Sequence, residues 1–267
     1  VDPVYMRELA GFAESLADAA RPFSRKWFRR EVKVDTKADD SPVTIADREV
    51  EAMLRHRIAR QFPQHGVLGE ELGEVGTGAD YVWLIDPIDG TRSFISGNPL
   101  WGTLLALLYC GRPVLGVIDM PVVNERWVGV AGQPTHFNGE PCYTRECCGL
   151  KDAAMYSTSP DLFGDQEERM AFERLSAAVR MRRFGGDCYN YALLAAGYID
   201  LVVESGLQPY DYLALAPVVE GAGGVITDWS GRSLDLHSSG QVLAAANTDL
   251  HRQAAALIEN APGTSKS

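Results

Sequence analysis

Two spacings of apolar residues alternate along this chain. Over residues 4–30, Leu9, Phe12, Leu16 and the pair Ala19 and Ala20 recur at helical spacing, which predicts a long amphipathic helix. The polar stretch KVDTKADDSPVT reads as a loop or irregular hairpin. A second helix is predicted over residues 44–62, with Val50, Met53, Leu54 and Ile58 on its apolar face. YVWLID then predicts a short buried strand that stops at Asp86 and Pro87. WGTLLALLYC, PVLGVIDMP and NERWVGVAG predict three consecutive antiparallel strands.

After a polar stretch over residues 138–151, strands and helices interleave. The strand AAMYSTS precedes a helix over residues 166–180, and MRRFGG follows, with Arg183 on a strand. A helix at CYNYALLAAG, a strand at IDLVVES and a single helix at YDYLALAPVVEGAG follow. GVITD and QVLAAAN read as strands, residues 248–260 as a last helix and the tail APGTSKS as disordered. An α+β part over residues 1–145 therefore precedes an α/β part over residues 146–267. With no repeat or low-complexity linker between them, the two are expected to pack closely.

Composition narrows the function classes. The chain has 267 residues, 46% of them hydrophobic, enough for a sizeable core. Against 25 Lys+Arg stand 36 Asp+Glu, a formal net charge of -11, which argues against nucleic acid or an anionic membrane as partner. The densest basic run, RKWFRR, falls at a predicted helix C-terminus, where cations suit the dipole. No signal-peptide pattern or bilayer-length apolar run is found. Five cysteines, odd in number and without a CxxC pair, read as reduced thiols rather than a zinc site or disulfide framework. A cytoplasmic protein is the expectation.

Four acidic stations invite a chemical reading, and each also has a plain structural one. In DPIDGT, Asp86 ends a strand, Pro87 turns the chain and Asp89 returns toward the same point. Two carboxylates beside the Gly90 and Thr91 amides suit Mg²⁺ and a phosphate, although an Asp-rich turn would look the same. Glu70 and Glu71 follow the short apolar pair Val67 and Leu68, and by themselves read as solvated surface. Thr44 and Asp47 make a capping box. In PYDYLAL, Asp211 opens a helix, where an acid complements the dipole.

In their order along the chain, SPVTIADREVE, LGEE, WLIDPIDGTRSF and PYDYLALAPVVEGAGG resemble the inositol monophosphatase family, relatives of fructose-1,6-bisphosphatase. The resemblance implies a layered αβαβα sandwich and Mg²⁺-dependent hydrolysis of a small phosphomonoester with two or three ions per site. It implies metal ligation by Glu70, Asp86, the Ile88 carbonyl, Asp89 and Asp211. A water is activated between Glu70 and Thr91, with Asp47 supporting the Thr91 hydroxyl and phosphate resting on the Gly90 and Thr91 amides. A homodimer comes with the same resemblance.

Two departures refine it. Tyr210 stands where inositol phosphatases generally carry Trp, and RRFGGDCYNYALLAAGYIDLVVESGLQPYDYLAL is similar to the histidinol-phosphate phosphatase branch. That branch implies a substrate site of Arg183, Gly185, Gly186, Asp187, Glu204 and Asp211, with Arg183 reaching a pocket from the same or a neighbouring subunit. Asp187 has an equal reading as N-cap of the following helix. An inositol monophosphatase or broad-range phosphatase is the alternative. Neither a CxxxxxR phosphocysteine loop nor a DxDx(T/V) phospho-aspartate motif is present.

Overall fold

The computed structural model describes residues 2–30, 34–36 and 42–259, so the expected disordered tail lies outside the described residues. The chain opens with α1 (Pro3–Trp27), a hairpin of β1 (Val34–Thr36) and β2 (Pro42–Thr44), and α2 (Ile45–Gln61). Next come β3 (Gly66–Gly69), β4 (Gly73–Val75), β5 (Tyr81–Asp89), α3 (Thr91–Ser96), β6 (Gly102–Tyr109), β7 (Arg112–Met120) and β8 (Glu125–Val130). Short β9 (His136–Phe137) and β10 (Glu140–Pro141) follow. The remainder holds β11 (Ala154–Ser157), α4 (Gln166–Ala178), β12 (Met181–Phe184), α5 (Cys188–Ala195) and β13 (Leu201–Glu204). It ends with α6 (Pro209–Tyr212), α7 (Leu215–Gly221), β14 (Val225–Thr227), β15 (Val242–Ala245) and α8 (Thr248–Glu259).

These elements stack in five layers. Met6, Leu9, Ala13 and Leu16 of α1 and Val50, Leu54 and Ile58 of α2 bury one face of an eight-stranded sheet ordered β10-β9-β8-β7-β6-β5-β3-β4. They pack on Trp83, Ile85, Leu105 and Leu107, while Val82, Leu84, Leu104 and Ala106 face the other way. Burial on both faces explains why β5 and β6 read as unbroken apolar runs. The middle layer is Tyr191 and Leu194 of α5 with Leu215, Val218 and Val219 of α7. Beyond it lies a five-stranded sheet ordered β12-β11-β13-β15-β14, and α4 and α8 close the stack through Phe172, Leu175, Leu250 and Ala254. Both sheets are mixed: β3 pairs parallel to β5, and β11 parallel to β12 and β13. This is the expected αβαβα sandwich.

Some elements depart from the expected pattern. Strand β5 does not stop at Asp86 but runs through Pro87 to Asp89, pairing again at Asp89 with Gly102 after an irregularity. Pro87 is tolerated because the ladder is already broken there. The single helix expected over residues 210–223 divides into α6 and α7. Pro217 has no N–H to donate to the Leu213 carbonyl, so the ladder is interrupted there and α7 starts afresh at Leu215, with Pro217 in its first turn. MRRFGG contains the edge strand β12, the short β9 ends just before the polar stretch over residues 138–151, and β10 lies within it. No described helix is long and apolar enough to cross a membrane.

Candidate active site

Three strand or helix ends meet at one point. The parallel pairing that sets Gly69 opposite Ile85, with the Glu70 N–H donating to the Ile85 carbonyl at 3.1 Å, brings Glu70 beside Asp86. Asp89 ends β5, and Asp211 enters from α6. One carboxylate oxygen from each of Asp86, Asp89 and Asp211 lies within 4.8 Å of the others. Each acid is also pinned by a backbone amide. Asp86 accepts from Ile88 N at 3.0 Å, Asp89 from Cys188 N at 2.7 Å and Asp211 from Gln208 N at 2.7 Å. The carboxylates are thus pre-aimed by bonds that do not neutralise them.

Crowding shows in their acidity. Burial, then Glu70, Asp89 and Asp211, raise Asp86 well above the usual carboxylate range. Burial followed by Asp187 and Asp211 does the same to Asp89. Asp211 is raised to about 7, again first by burial, with Glu70 adding to it. Buried acids of one sign must either keep protons or gather a cation. An all-oxygen donor set of this kind fits a hard divalent ion such as Mg²⁺.

Asp47 and Thr91 sit at the margin of this group. Asp47 N-caps nothing itself but completes the box at the start of α2, accepting from Thr44 N at 2.7 Å and Thr44 Oγ1 at 2.5 Å through Oδ2. Its Oδ1 is buried with no hydrogen-bond partner among the described residues, and burial with the nearby Glu70 charge raises Asp47 to about 6. The expected Thr91–Asp47 hydrogen bond is not formed: Thr91 Oγ1 donates to the Ile88 carbonyl at 3.2 Å. That carbonyl, an expected metal ligand, retains its second lone pair. Thr91 is the first residue of α3, and Gly90 precedes it in the left-handed conformation at φ 81°. Residue 90 must be glycine twice over, because a Cβ would also sit 2.8 Å from an Asp187 carboxylate oxygen.

Beyond the cluster a cavity of about 70 Å³ is lined by Asp89, Asp187, Glu204, Asp211, Tyr191 and Thr158, among others. Glu204 is buried and accepts from Thr158 N at 2.8 Å and Tyr191 Oη at 3.0 Å, and burial raises it to about 7. The helix-cap reading of Asp187 fails. It occupies the N-cap position of α5 at φ 49° and ψ -131° without a capping bond, and Asp89 takes the Cys188 amide instead. Asp187 accepts from Ser93 Oγ at 3.2 Å and is raised to about 6 by burial, against the Ser93 bond and the Arg92 charge.

Gly185 and Gly186 lead into α5, whereas Arg183 is exposed on β12 and does not line the cavity. Thr158, whose buried hydroxyl has no partner among the described residues, was not legible as a site residue because only the pairing of β11 with β13 brings it to Glu204. A larger groove of about 680 Å³ lies between α1 and β8. Its guanidiniums, Arg21 and Arg126, are already bonded to Asp119, Asn124, Asp18 and the Glu14 carbonyl.

The model of the inositol monophosphatase family matches residues 5–262. The chain belongs to this family. Among its relatives, the bifunctional phosphatase IMPL2, chloroplastic, of Arabidopsis thaliana is 48% identical over 259 residues, 94% of this chain and 75% of that protein. The histidinol-phosphatase of Chlorobaculum parvum is 36% identical over 249 residues, 93% of this chain and 95% of that one. A solved inositol monophosphatase from Zymomonas mobilis, 45% identical, superposes with a TM-score of 0.87 over 95% of this chain and 98% of its own. The protein is a phosphomonoester hydrolase of a metal-dependent family that typically uses Mg²⁺.

Proposed function

We propose that the protein is a Mg²⁺-dependent histidinol-phosphate phosphatase, releasing histidinol and phosphate. The observation that carries the reading is the acidic cavity beside the carboxylate cluster: Asp187 and Glu204 line it, and among the described residues no Lys or Arg does. A neutral polyol offers such acids no charge to compensate, whereas an aminoalkyl imidazole phosphate offers a protonated amine and a basic ring.

Glu70, Asp86, the Ile88 carbonyl, Asp89 and Asp211 would hold the metal. Bound Mg²⁺ supplies Lewis-acid stabilisation of phosphoryl charge and makes a coordinated water easier to deprotonate. Glu70 takes the proton of the attacking water, and the Thr91 hydroxyl orients it once released from the Ile88 carbonyl. The unpartnered Oδ1 of Asp47 is the acceptor that would then hold that hydroxyl. The Gly90 and Thr91 amides at the start of α3 receive the phosphate. Asp187 and Glu204 bind the cationic end of the substrate and so align the ester for in-line displacement. A homodimer, with exposed Arg183 reaching a neighbouring pocket, goes with the same reading.

The test is phosphate release from histidinol phosphate and from inositol 1-phosphate, each with Mg²⁺ and with EDTA. Charge-assisted hydrogen bonds contribute about 1.5–3 kcal/mol each, so two acids should favour the cationic substrate at least about a hundredfold in kcat/KM. Asp187→Asn should erode that preference more than it slows a neutral ester. Equal efficiency on both substrates would instead favour an inositol monophosphatase, as the likeness to the Zymomonas mobilis structure allows.

A further inference from the structure

Helix α2 carries Asp47, Glu51 and Arg55 one turn apart, hence on one face. Asp47 reaches the active site. Glu51 has no part in the chemistry above, yet its exposure is 0%, a position in which a carboxylate needs partners. Those partners converge on the loop that carries Glu70. Glu51 Oε2 accepts from Glu71 N at 2.7 Å, and Oε1 accepts from Leu72 N at 3.1 Å and from Arg55 Nε at 2.7 Å. Arg55 donates in turn to the Gly73 carbonyl. Before Glu70, the fit is equally close: a Cβ on Gly69 would lie 2.1 Å from Glu51 Oε1. Residues 69–73 are therefore moulded around one buried carboxylate.

We propose that Glu51 is a positioning residue, fixing this loop so that the Glu70 carboxylate stays beside Asp86 and the site keeps its affinity for a divalent cation. The proposal rests on the metal-binding reading above. The charge matters because two acceptor oxygens serve three donors. A glutamine has one acceptor oxygen, and its NH₂ group would face an N–H of the loop or of Arg55. At least one donor is then left without an acceptor, and the loop must shift to find water. Supporting groups one step behind metal ligands typically govern about 10–100-fold in affinity.

The experiment titrates Mg²⁺ alone into the wild type, Glu51→Gln and Gly69→Ala by calorimetry, and follows amide hydrogen exchange at Glu71 and Leu72. Glu51→Gln is expected to weaken Mg²⁺ binding by about tenfold or more and to speed exchange at those two amides, with the rest of the protein still protected. Gly69→Ala, which displaces the carboxylate from the other side while leaving Glu51 in place, should weaken binding in the same way and keeps the test decisive if Glu51→Gln does not fold. A stabilising role confined to the fold would lower the melting temperature without changing the Mg²⁺ affinity of the folded protein. Unchanged affinity in a folded variant overturns this proposal alone. A wild type that binds no Mg²⁺ overturns it together with the metal reading.

Discussion

At the scale of single residues, Thr91 is the sharpest point of the proposed chemistry. Its hydroxyl spends its proton on the Ile88 carbonyl, and Asp47 keeps one buried oxygen without a partner. Moving the hydroxyl from the first to the second would turn its lone pairs toward a water beside Glu70. Thr91→Ala should therefore lower kcat by roughly 10²–10⁴ while KM changes little. A variant that loses substrate affinity at unchanged turnover would make Thr91 a phosphate ligand only. Taken singly, Glu70, Asp86, Asp89 and Asp211 each had a plain structural reading in the sequence; what was legible was their joint order, which resembles one family. The sequence left Asp187 open between a cap on α5 and a substrate acid, because it does occupy the N-cap position and only the fold shows its backbone turning the side chain toward Ser93 and Gly90. Nothing in local sequence says that Asp89, almost a hundred residues earlier, takes that amide. Glu51 did leave a signal, its four-residue spacing from Asp47, but only the fold shows which loop that face grips.

At the scale of elements, the site depends on how three of them begin or end. Helix α2 starts where it does because Thr44 and Asp47 satisfy each other's groups reciprocally: Ala46 N donates to Thr44 Oγ1 at 3.1 Å, and Thr44 N to Asp47. Thr44→Ala removes the cap and one of the two donors holding Asp47. The expected cost is about 1 kcal/mol of stability, read from denaturant unfolding, with Thr44→Ser restoring most of it. An unchanged unfolding midpoint in the alanine variant would show that α2 is held by its packing on Trp83 and Leu105 alone. The long periodic helices were legible for the opposite reason to the short elements. Leu9, Ala13 and Leu16 repeat a buried face over many turns, whereas β12 is exposed at all four positions and carries Arg182 and Arg183. Such an edge strand has no burial pattern to read, because pairing with β11 alone defines it.

At the scale of the whole molecule, the large sheet, the small sheet and the helices between them deliver like charges to one place, and that has a consequence for stability. Asp47 and Asp187 are raised to about 6, and Asp211 and Glu204 to about 7, from ordinary values of 3.8 and 4.5. A carboxyl group whose folded value lies above its unfolded one favours folding while it keeps its proton. The contribution is full below the unfolded values and is lost as pH rises through the folded ones. In EDTA, the melting temperature should therefore fall between about pH 4 and pH 8. Cation binding requires the deprotonated acids, so its benefit has the opposite pH dependence. At a Mg²⁺ concentration about a hundred times its dissociation constant, the gain is about 2.7 kcal/mol. For a chain of this size that is a rise of about 5–10 °C in melting temperature. Scanning calorimetry with Mg²⁺ and with EDTA at the two ends of this range measures both effects. The Mg²⁺-induced increment should be small at the acid end and near its full value at the alkaline end. An increment equal at both would mean that the buried acids are not what the cation binds.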